Sequence, residues 1–483
     1  MRWFVLLLLA CNGKDSDTAG DAGADTDDTD GSTVAPGLIA TVAPSPFVPA
    51  VGLVTFAGAG TASVEYGLAG AFDHVTPTVD GSAHTIAMIG LKAGQSYSWR
   101  AVVVDAAGQR LESAPGTFVV PAAPVPALTV SAGDASAFAG SVMVSVIDRA
   151  VAKSWLAFAD SDGDWVWWVE TLGNGIINAE FGNDGKSVVY GEYNNDEAID
   201  SGHLVRVSMD GTTRTETRVL RGHHDFSEQP DGEFAFVSME FATVPMEGTP
   251  EPVKFGADTI RKGPEGMGDS DVPPIVFDTF EYTGAEPSFV CSHVEPTLTN
   301  FGIKLGESAV LEWTHGNSLV YLPAQNAWYL NARYTDWLLK IDATSGQVLW
   351  ELNGTGTRGS FTNGVLWSHS HLSDVWDGGA LVFDNGDHHV PQDSRIVQVS
   401  WDEVEMTAGI DFEIEGPPGF ASAIGDARRM PDGRVLGAWG NLGEVTIHSG
   451  DGAVLDWQAG LGSPRFAARA RYADDLYVLP DED

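Results

Sequence analysis

The chain has 483 residues, more than one ordinary hydrophobic core holds, and this length predicts more than one domain. Its formal net charge of −41 argues against nucleic acid and against an anionic membrane surface as binding partners. The 56 glycines and 15 tryptophans are typical of a fold with many tight turns and a large aromatic core.

The first residues have the pattern of a targeting segment. Arg2 provides a positive charge, and a short apolar run, residues 3–10, leads to the letters LLAC, which end at Cys11. This pattern resembles the lipobox of bacterial lipoproteins, in which the cysteine is lipidated and becomes the mature N-terminus. Residues 1–11 are therefore predicted to be a lipoprotein signal peptide. The alternative is a chance cysteine after an apolar run, and lipidation of Cys11 would leave Cys291 without a disulfide partner.

This prediction implies that the protein lies in the cell envelope, in the periplasm or at the cell surface. The lipid is then expected to be its only contact with the membrane. No other stretch is long and apolar enough to span a bilayer. Residues 12–33 are predicted to be a disordered tether, because they contain seven aspartates and no large apolar side chain. The sequence does not distinguish the inner from the outer membrane.

Residues 34–126 are predicted to form a small β-sandwich. Runs such as ASVEYGL and YSWRAVVVDAAG alternate apolar and polar side chains, and turn residues separate them. The segment LKAGQSYSWRAVVVDAAGQ resembles the fibronectin type III pattern, and its Tyr97 and Trp99 are expected to lie in the core. The proline-rich VPAAPVPAL marks the domain boundary.

Residues 127–483 are predicted to form an all-β propeller. Asp-Gly turns followed by apolar strands with tryptophan recur in DSDGDWVWW, DATSGQVLWEL and SGDGAVLDW. Repeats of this kind, about 40–55 residues long, indicate propeller blades. DSDGD itself is read as a turn, because it lacks the central glycine and the distal glutamate of a calcium loop.

A shared frame gives the number of blades. Glycine lies eight residues after histidine in HDFSEQPDG, from His224, and in HLSDVWDGG, from His371. The frame recurs at Ile177 and Gly425 and, more loosely, at His315, which marks five blades. A sixth blade can be closed by SWLAFADSDGDWVWWVE from the start of the domain and ARARYADDLYVL from its end. The long gap before the His315 blade predicts an insertion at residues 256–275. This segment is expected to be the outer strands of the His224 blade with a long polar loop, whose role the sequence leaves open.

The frame position precedes each turn by the length of one strand, which places it at the mouth of an inner strand near the central channel. His224, His315 and His371 are therefore expected to converge. Arg333 lies on the next strand of the His315 blade, and Asn317 lies two residues beyond His315, on the same side of its strand.

These segments resemble the bacterial arylsulfate sulfotransferases. The matching stretches are GHHDFSEQPDG, WTHGNSLVYLP, NARYTDWLLKIDATSGQVLWEL, HLSDVWDGGALVFDNGD and ARRMPDGRVL. The resemblance implies a six-bladed propeller preceded by a small β-domain. It also implies transfer of a sulfuryl group from a phenolic sulfate donor to a phenol acceptor through a sulfohistidine, with no cofactor and without phosphoadenosine phosphosulfate. By the same resemblance, His371 is the nucleophile, and His224, His315 and Arg333 support it.

Other side chains are expected at the mouth. An aromatic substrate would fit a mouth lined by Trp313, Trp367 or Tyr334, and Asn317 is a further candidate for substrate binding. In SHSHLSD, His369 is a candidate for substrate binding and a rival nucleophile to His371, although only His371 keeps the frame.

Three alternatives stay open. The propeller could have lost its chemistry and serve as a ligand-binding or scaffold lipoprotein. The histidines, with Asp374 near the His369/His371 pair, could bind a metal, although no metal site is predicted. A homodimer is compatible with the sequence, which does not fix the oligomeric state.

Overall fold

The structure is a computed structural model, and its description rests on residues 37–171, 178–192, 202–245, 251–284, 310–353, 361 and 366–480. The predicted signal peptide, the tether, Cys11, Cys291 and the frame position Ile177 lie outside the described residues.

The N-terminal β-domain is one hydrogen-bonded sheet of seven strands that wraps into a half-barrel. Its strands are β1 (Ala40–Pro44), β2 (Gly52–Leu68), β3 (His74–Val75), β4 (Val79–Met88), β5 (Ser96–Val104), β6 (Arg110–Glu112) and β7 (Gly116–Val119). The first half of β2 pairs with β1 and β4, and its second half pairs with β5. Tyr97 and Trp99 are buried in the core, as the sequence predicts.

The long strand β2 changes partners at a bulge. Its register with β4 shifts between Ala57 and Gly60, and Gly60 has a φ of 146°. A Cβ at this position would lie 2.2 Å from the carbonyl oxygen of Val104, so only glycine lets the two strands approach so closely.

Six further sheets form the blades of the propeller, which confirms the predicted fold class. Blade 1 contains β9 (Ser141–Asp148), β10 (Lys153–Ala159), β11 (Trp165–Glu170) and the C-terminal β33 (Arg465–Ala473). Blade 2 contains β12 (Ala179–Phe181), β13 (Ser187–Glu192), β14 (His203–Ser208) and β15 (Arg214–Arg218). Blade 3 contains β16 (Gly222–Glu228), β17 (Glu233–Val244), β18 (Val253–Pro264) and β19 (Ile275–Asp278), with β20 (Val310–Glu312) added in parallel to β18. A short helix, α1 (Thr279–Thr283), follows β19.

The remaining blades have the same order. Blade 4 contains β21 (Gly316–Leu322), β22 (Ala327–Ala332), β23 (Trp337–Asp342) and β24 (Val348–Leu352), with a 3₁₀ turn (Pro323–Gln325) after β21. Blade 5 contains β25 (His371–Trp376), β26 (Gly379–Asp384), β27 (Arg395–Asp402) and β28 (Thr407–Glu415). Blade 6 contains β29 (Asp426–Arg429), β30 (Val435–Ala438), β31 (Glu444–His448), β32 (Leu455–Gly460) and β8 (Thr129–Ala132).

Both ends of the propeller domain close the ring. The C-terminal β33 pairs with β9 as the innermost strand of blade 1, as the sequence predicts. At the outer edge of blade 6, β8 pairs with β32. The two strands bind the start and the end of the domain into adjacent blades, so the outer edge of β32 and the inner edge of β9 are both paired.

The repeated turns explain the shared frame. Gly232 and Gly433 follow the inner strands of blades 3 and 6 with φ values of 82° and 87°, a region that favours glycine. In blade 4 the turn is longer, and Asn326 takes the left-handed conformation at φ 47°, which accounts for the looser frame after His315.

Residues 256–275 belong to the outer strands of the His224 blade, as the sequence predicts. They form most of β18 and the turn into β19. The polar loop is shorter than predicted, because residues 255–261 of β18 are all buried and only residues 265–274 connect the two strands.

The β-domain and the propeller share one core. A single hydrophobic cluster runs from Val48 in the β-domain to Leu479 near the end of the chain. Tyr477 Oη accepts the backbone N–H of Ile89 at 3.0 Å, joining the C-terminal segment to the β-domain. No helix in the described part of the chain is long and apolar enough to cross a membrane.

Candidate active site

The three predicted histidines lie at or near the start of the inner strands of blades 3, 4 and 5. His371 is the first residue of β25, His315 immediately precedes β21, and His224 lies within β16. Each strand has a register shift at this point, and His224 and His315 have positive φ values of 55° and 56°. Bulges of this kind re-aim a side chain away from the ordinary strand direction.

The structure brings these histidines together. The rings of His224 and His315 lie 4.6 Å apart in an edge-to-face arrangement. Burial lowers the pKa of His224 well below its usual range, and the nearby charges of His315, His223 and His371 lower it further. Burial also lowers the pKa of His371 well below its usual range, with Arg333 as the next cause. Both rings are therefore neutral near pH 7, the form in which imidazole is a nucleophile.

A side-chain amide orients His371. Its Nδ1 lies 2.7 Å from Oδ1 of Asn385. Asn385 Nδ2 donates to the carbonyl oxygens of Ala421 and Ile424, so its oxygen must face the ring and accept the Nδ1 proton. The lone pair of the neutral ring is then on Nε2, which also accepts the backbone N–H of Ile424 at 3.3 Å.

Arg333 supplies a fixed positive charge beside the histidines. Its Nη2 donates to Oδ2 of Asp387 at 2.9 Å and to the carbonyl oxygen of Ser422 at 3.2 Å. Within the described residues, its Nε is buried and has no hydrogen-bond partner. The two hydrogen bonds of Nη2 thus hold the guanidinium in place, while its buried Nε remains available to donate to an anionic group.

Tyr334 lies between His315 and the group formed by Arg333 and His369. Its half-buried ring lies 4.8 Å from the ring of His315 and 5.9 Å from that of His369, and the guanidinium of Arg333 lies 5.4 Å from it. Of the three aromatic residues predicted at the mouth, Tyr334 is the one that the structure places there.

Trp313 and Trp367 are not brought to the mouth. Both are fully buried in hydrophobic clusters, and Trp313 contacts the rings of Phe280 and Trp337. Burial of an indole ring in an apolar core stabilises the fold more than its exposure at a polar channel would. These two rings therefore pack in the core between blades.

Replacing Trp313 by alanine tests this placement. The change leaves a large cavity, and we expect the free energy of unfolding to fall by about 3–5 kcal/mol in urea denaturation. The matched change Tyr334→Ala is expected to alter substrate binding with a much smaller loss of stability, because Tyr334 is only half-buried. Equal stability losses in the two variants would contradict these assignments.

Asn317 joins blades 4 and 5. Its Nδ2 donates to the carbonyl oxygen of Ser370 at 2.8 Å, and its Oδ1 accepts a bond of 2.7 Å from Asn331. The side chain is fully buried, and both of its polar atoms bind other protein groups. Asn317 therefore holds the strands near the histidines together and has no polar atom left to bind a substrate.

His369 lies beside Arg333 and not in the frame position. Its Nδ1 is 3.0 Å from Oδ2 of Asp387, the same oxygen that Arg333 contacts. Its backbone N–H donates to Asp336 at 2.6 Å, and its φ is 53°. The two candidate nucleophiles therefore differ in their partners, an amide for His371 and a carboxylate for His369.

Residues 129–456 match the family model described as Arylsulfotransferase (ASST), which covers more than half of the chain. The chain belongs to the arylsulfotransferase family. No curated protein matches the sequence.

Several solved structures resemble the whole chain weakly. A protein of unknown function from Bacteroides caccae is 13% identical, covering 70% of this chain and 100% of its own, with a TM-score of 0.39. A putative 6-phosphogluconolactonase from Bacteroides uniformis is 11% identical over 86% and 99%, with a TM-score of 0.35. Apo AztD from Citrobacter koseri is 12% identical over 85% and 98%, with a TM-score of 0.32. Values this low carry no functional argument.

Four residues of this arylsulfotransferase site were not predicted individually. Asn385 and Asp387 lie in the FDNGD motif, which the sequence marks only as a family feature. Arg469, on the closing strand β33, is fully buried, and burial lowers its pKa to about 10 although the carboxylate of Asp225 opposes this effect. Arg469 and Asp225 come from opposite ends of the domain, and their Nη2 and Oδ2 atoms lie 3.8 Å apart.

A group of carboxylates with metal-ligand spacing occurs elsewhere. In the part of the chain that the structure describes, Asp160, Asp162 and Asp164 place oxygens within 4.8 Å of one another. Lys92 of the β-domain inserts its Nζ among them, at 2.8, 3.1 and 2.9 Å. The DSDGD turn therefore joins the two domains through an ammonium group.

The opposite end of the channel contains a cavity of about 920 Å³. Residues at the far ends of the inner strands line it, among them Glu180, Tyr321, Trp376, Arg428 and Arg471. The three histidines do not line this cavity, so the channel has two chemically different ends.

The buried histidines make stability depend on pH. Because the pKa of His224 is lowered in the folded state, the unfolded chain binds a proton that the folded chain does not, once the pH falls below about 6.5. We expect the stability of the wild type, relative to His224→Asn, to fall between about pH 7 and pH 5 by up to about 1.4 kcal/mol per pH unit. Asparagine tolerates the left-handed backbone at this position.

Urea denaturation of both proteins across this pH range measures the effect. Taking the difference between the two removes the opposing contribution of buried carboxyls such as Asp225, whose pKa is raised by burial. A difference that stays constant with pH would contradict the assignment.

Proposed function

We propose that the propeller transfers a sulfuryl group from a phenolic sulfate ester to a second phenol through a covalent intermediate on His371. The observation that carries this proposal is the neutral, amide-oriented ring of His371 beside Arg333 and the His224/His315 pair. Family membership supports arylsulfotransferase activity in general.

In the first half-reaction, Nε2 of His371 releases the hydrogen bond from the N–H of Ile424 and attacks the sulfur atom with its lone pair. The N–S bond forms as the S–O bond to the aryl group breaks, and the electron pair leaves with the phenolate. A phenol has a pKa of about 10 and is a far better leaving group than an aliphatic alcohol. In-line transfer of this kind depends mainly on positioning and on charge stabilisation of the three equatorial oxygens.

Arg333 is placed to stabilise these oxygens. It is a permanent cation, and its buried Nε offers a donor in a site from which water is largely excluded. The rings of His224 and His315 lie 4.6 Å apart, and His315 is close enough to His371 to lower its pKa, so this pair is near the nucleophile for further contacts. Because His371 is only 5% exposed, an aryl ester must displace side chains at the rim, of which Tyr334 is the aromatic one.

In the second half-reaction, the oxygen of the acceptor phenol attacks the same sulfur atom and gives up its proton to a base or to solvent. The new S–O bond forms as the N–S bond breaks, and the electron pair returns to Nε2. His371 is regenerated as a neutral ring, so no cofactor is consumed.

Turnover of a nitrophenyl sulfate by the full chain, with phenol as acceptor, tests the proposal. We expect release of nitrophenol that depends on phenol, together with formation of phenyl sulfate. A folded protein that releases nothing from several aryl sulfates would contradict the proposal.

A ligand-binding propeller without turnover is the second candidate, and the cavity at the opposite end of the channel favours it. Arginines, carboxylates and aromatic rings from all six inner strands line this cavity. If turnover is absent, calorimetric titration of aryl sulfates and phenols into wild type and into Arg429→Ala, at the cavity rim, tests this candidate.

A further inference from the structure

His369 and Asp387 form a pair that the reaction described above does not use. His369 Nδ1 lies 3.0 Å from Oδ2 of Asp387, and both side chains are largely buried. The proton between a ring nitrogen and a carboxylate belongs on Nδ1, so the lone pair of the neutral ring is on Nε2. An imidazole oriented in this way by a carboxylate is built to accept a proton.

The pair belongs to the same site as the nucleophile. Asp387 Oδ2 contacts both His369 and Arg333, so one carboxylate oxygen fixes the ring and the guanidinium together. The ring of His369 also lies 5.9 Å from that of Tyr334 and 4.6 Å from that of the exposed His388. His369 therefore lies beside Arg333 and Tyr334 on one side and beside the exposed His388 on the other.

The backbone holds His369 in an unusual conformation. Its φ of 53° lies in the left-handed region, which is uncommon for residues other than glycine although histidine is among those that adopt it more often, and its N–H is bound to Asp336 Oδ1 at 2.6 Å. Such backbone strain occurs mainly where a side chain must be held in one direction. The neighbouring Ser370 is fixed by Asn331 and Asn317 through its hydroxyl and carbonyl groups.

The different partners of the two rings separate their roles. His371 is bound to a neutral amide, which adds no negative charge near an anionic sulfate. His369 is bound to a carboxylate, which stabilises an imidazolium once a proton arrives. Burial lowers the pKa of His369, and the bond to Asp387 opposes this effect, so the ring is neutral before the step and stabilised after it.

We infer that His369, oriented by Asp387, is the general base that takes the proton of the acceptor phenol in the second half-reaction. This inference rests on the proposed function. The phenol O–H proton moves to His369 Nε2 as the phenol oxygen forms its bond to sulfur and the N–S bond to His371 breaks. The imidazolium then returns its proton to solvent, and no further reactant is needed.

The test separates the two half-reactions in the variant His369→Asn. Asparagine tolerates the left-handed backbone, so the change removes the ring without adding strain. We expect the burst of nitrophenol without acceptor to be unchanged. Transfer to phenols that are un-ionised at the assay pH should fall about 100-fold to 10,000-fold, and transfer to phenols that are already ionised should change little.

His448→Asn, on the outer part of blade 6, is the matched control and should behave as wild type. His369→Gln serves as a second variant if His369→Asn does not fold. Equal losses for ionised and un-ionised phenols, or a lost burst, would overturn the inference, as would unchanged transfer to all acceptors. Absence of both burst and transfer in the wild type would instead refute the proposed function.

Discussion

Replacement of His371 by alanine is expected to reduce sulfuryl transfer by at least about 10,000-fold, because the nucleophile has no substitute in the site. Loss of a nucleophile removes both half-reactions, so the burst of nitrophenol disappears together with transfer to phenol. His369 is bound to Asp387 and not to Asn385, so it is not oriented to replace the missing ring.

Steady-state turnover and burst kinetics measure this effect. The control is His448→Ala, which removes a histidine of the same fold far from the channel, on β31. Retained burst and transfer in His371→Ala would contradict the assignment of the nucleophile. If His369→Ala then lost the burst, His369 would become the nucleophile.

Exchange of Arg333 for lysine is expected to lower kcat by about 100-fold to 1,000-fold, although the positive charge is kept. Lysine has neither the planar fork nor the Nε donor, and it cannot hold Asp387 while contacting a sulfuryl oxygen. The guanidinium is expected to bind the planar SO₃ group of the transition state better than the tetrahedral ester, so KM should change much less than kcat.

Arg100→Lys is the matched control, since Arg100 also holds carboxylates, those of Glu65 and Glu112, but lies in the β-domain. Its activity should equal that of the wild type. A loss confined to KM in Arg333→Lys would mean that the guanidinium binds substrate and transition state equally well. That outcome would contradict the role proposed for Arg333.

The propeller could be predicted from the sequence because its turns and inner strands repeat. The turn glycine and the first position of the inner strand keep a constant spacing, and histidine at that position in two blades identified His224 and His371 from the local sequence alone. Family resemblance then predicted Arg333, which the structure places beside Tyr334 and the histidines.

The positions of other side chains depend on tertiary contacts that the local sequence does not reveal. Trp313 follows β20 just before His315, yet the packing of blade 3 against blade 4 turns it into the core. Arg469 reaches the channel only because the last strand closes blade 1. Asn385 and Asp387 differ by two positions, and their separate partners, His371 and His369, follow from side-chain direction in three dimensions.

The most direct test of His371 as the nucleophile is to identify the side chain on which the sulfuryl group is trapped. The full chain would be mixed with a nitrophenyl sulfate without acceptor, stopped after the burst and cleaved into peptides for mass spectrometry. We expect the mass of one SO₃ group on His371, lost again when phenol is added before the reaction is stopped. A sulfuryl group on His369 or on any other side chain, or turnover without a covalent adduct, would contradict His371 as the nucleophile.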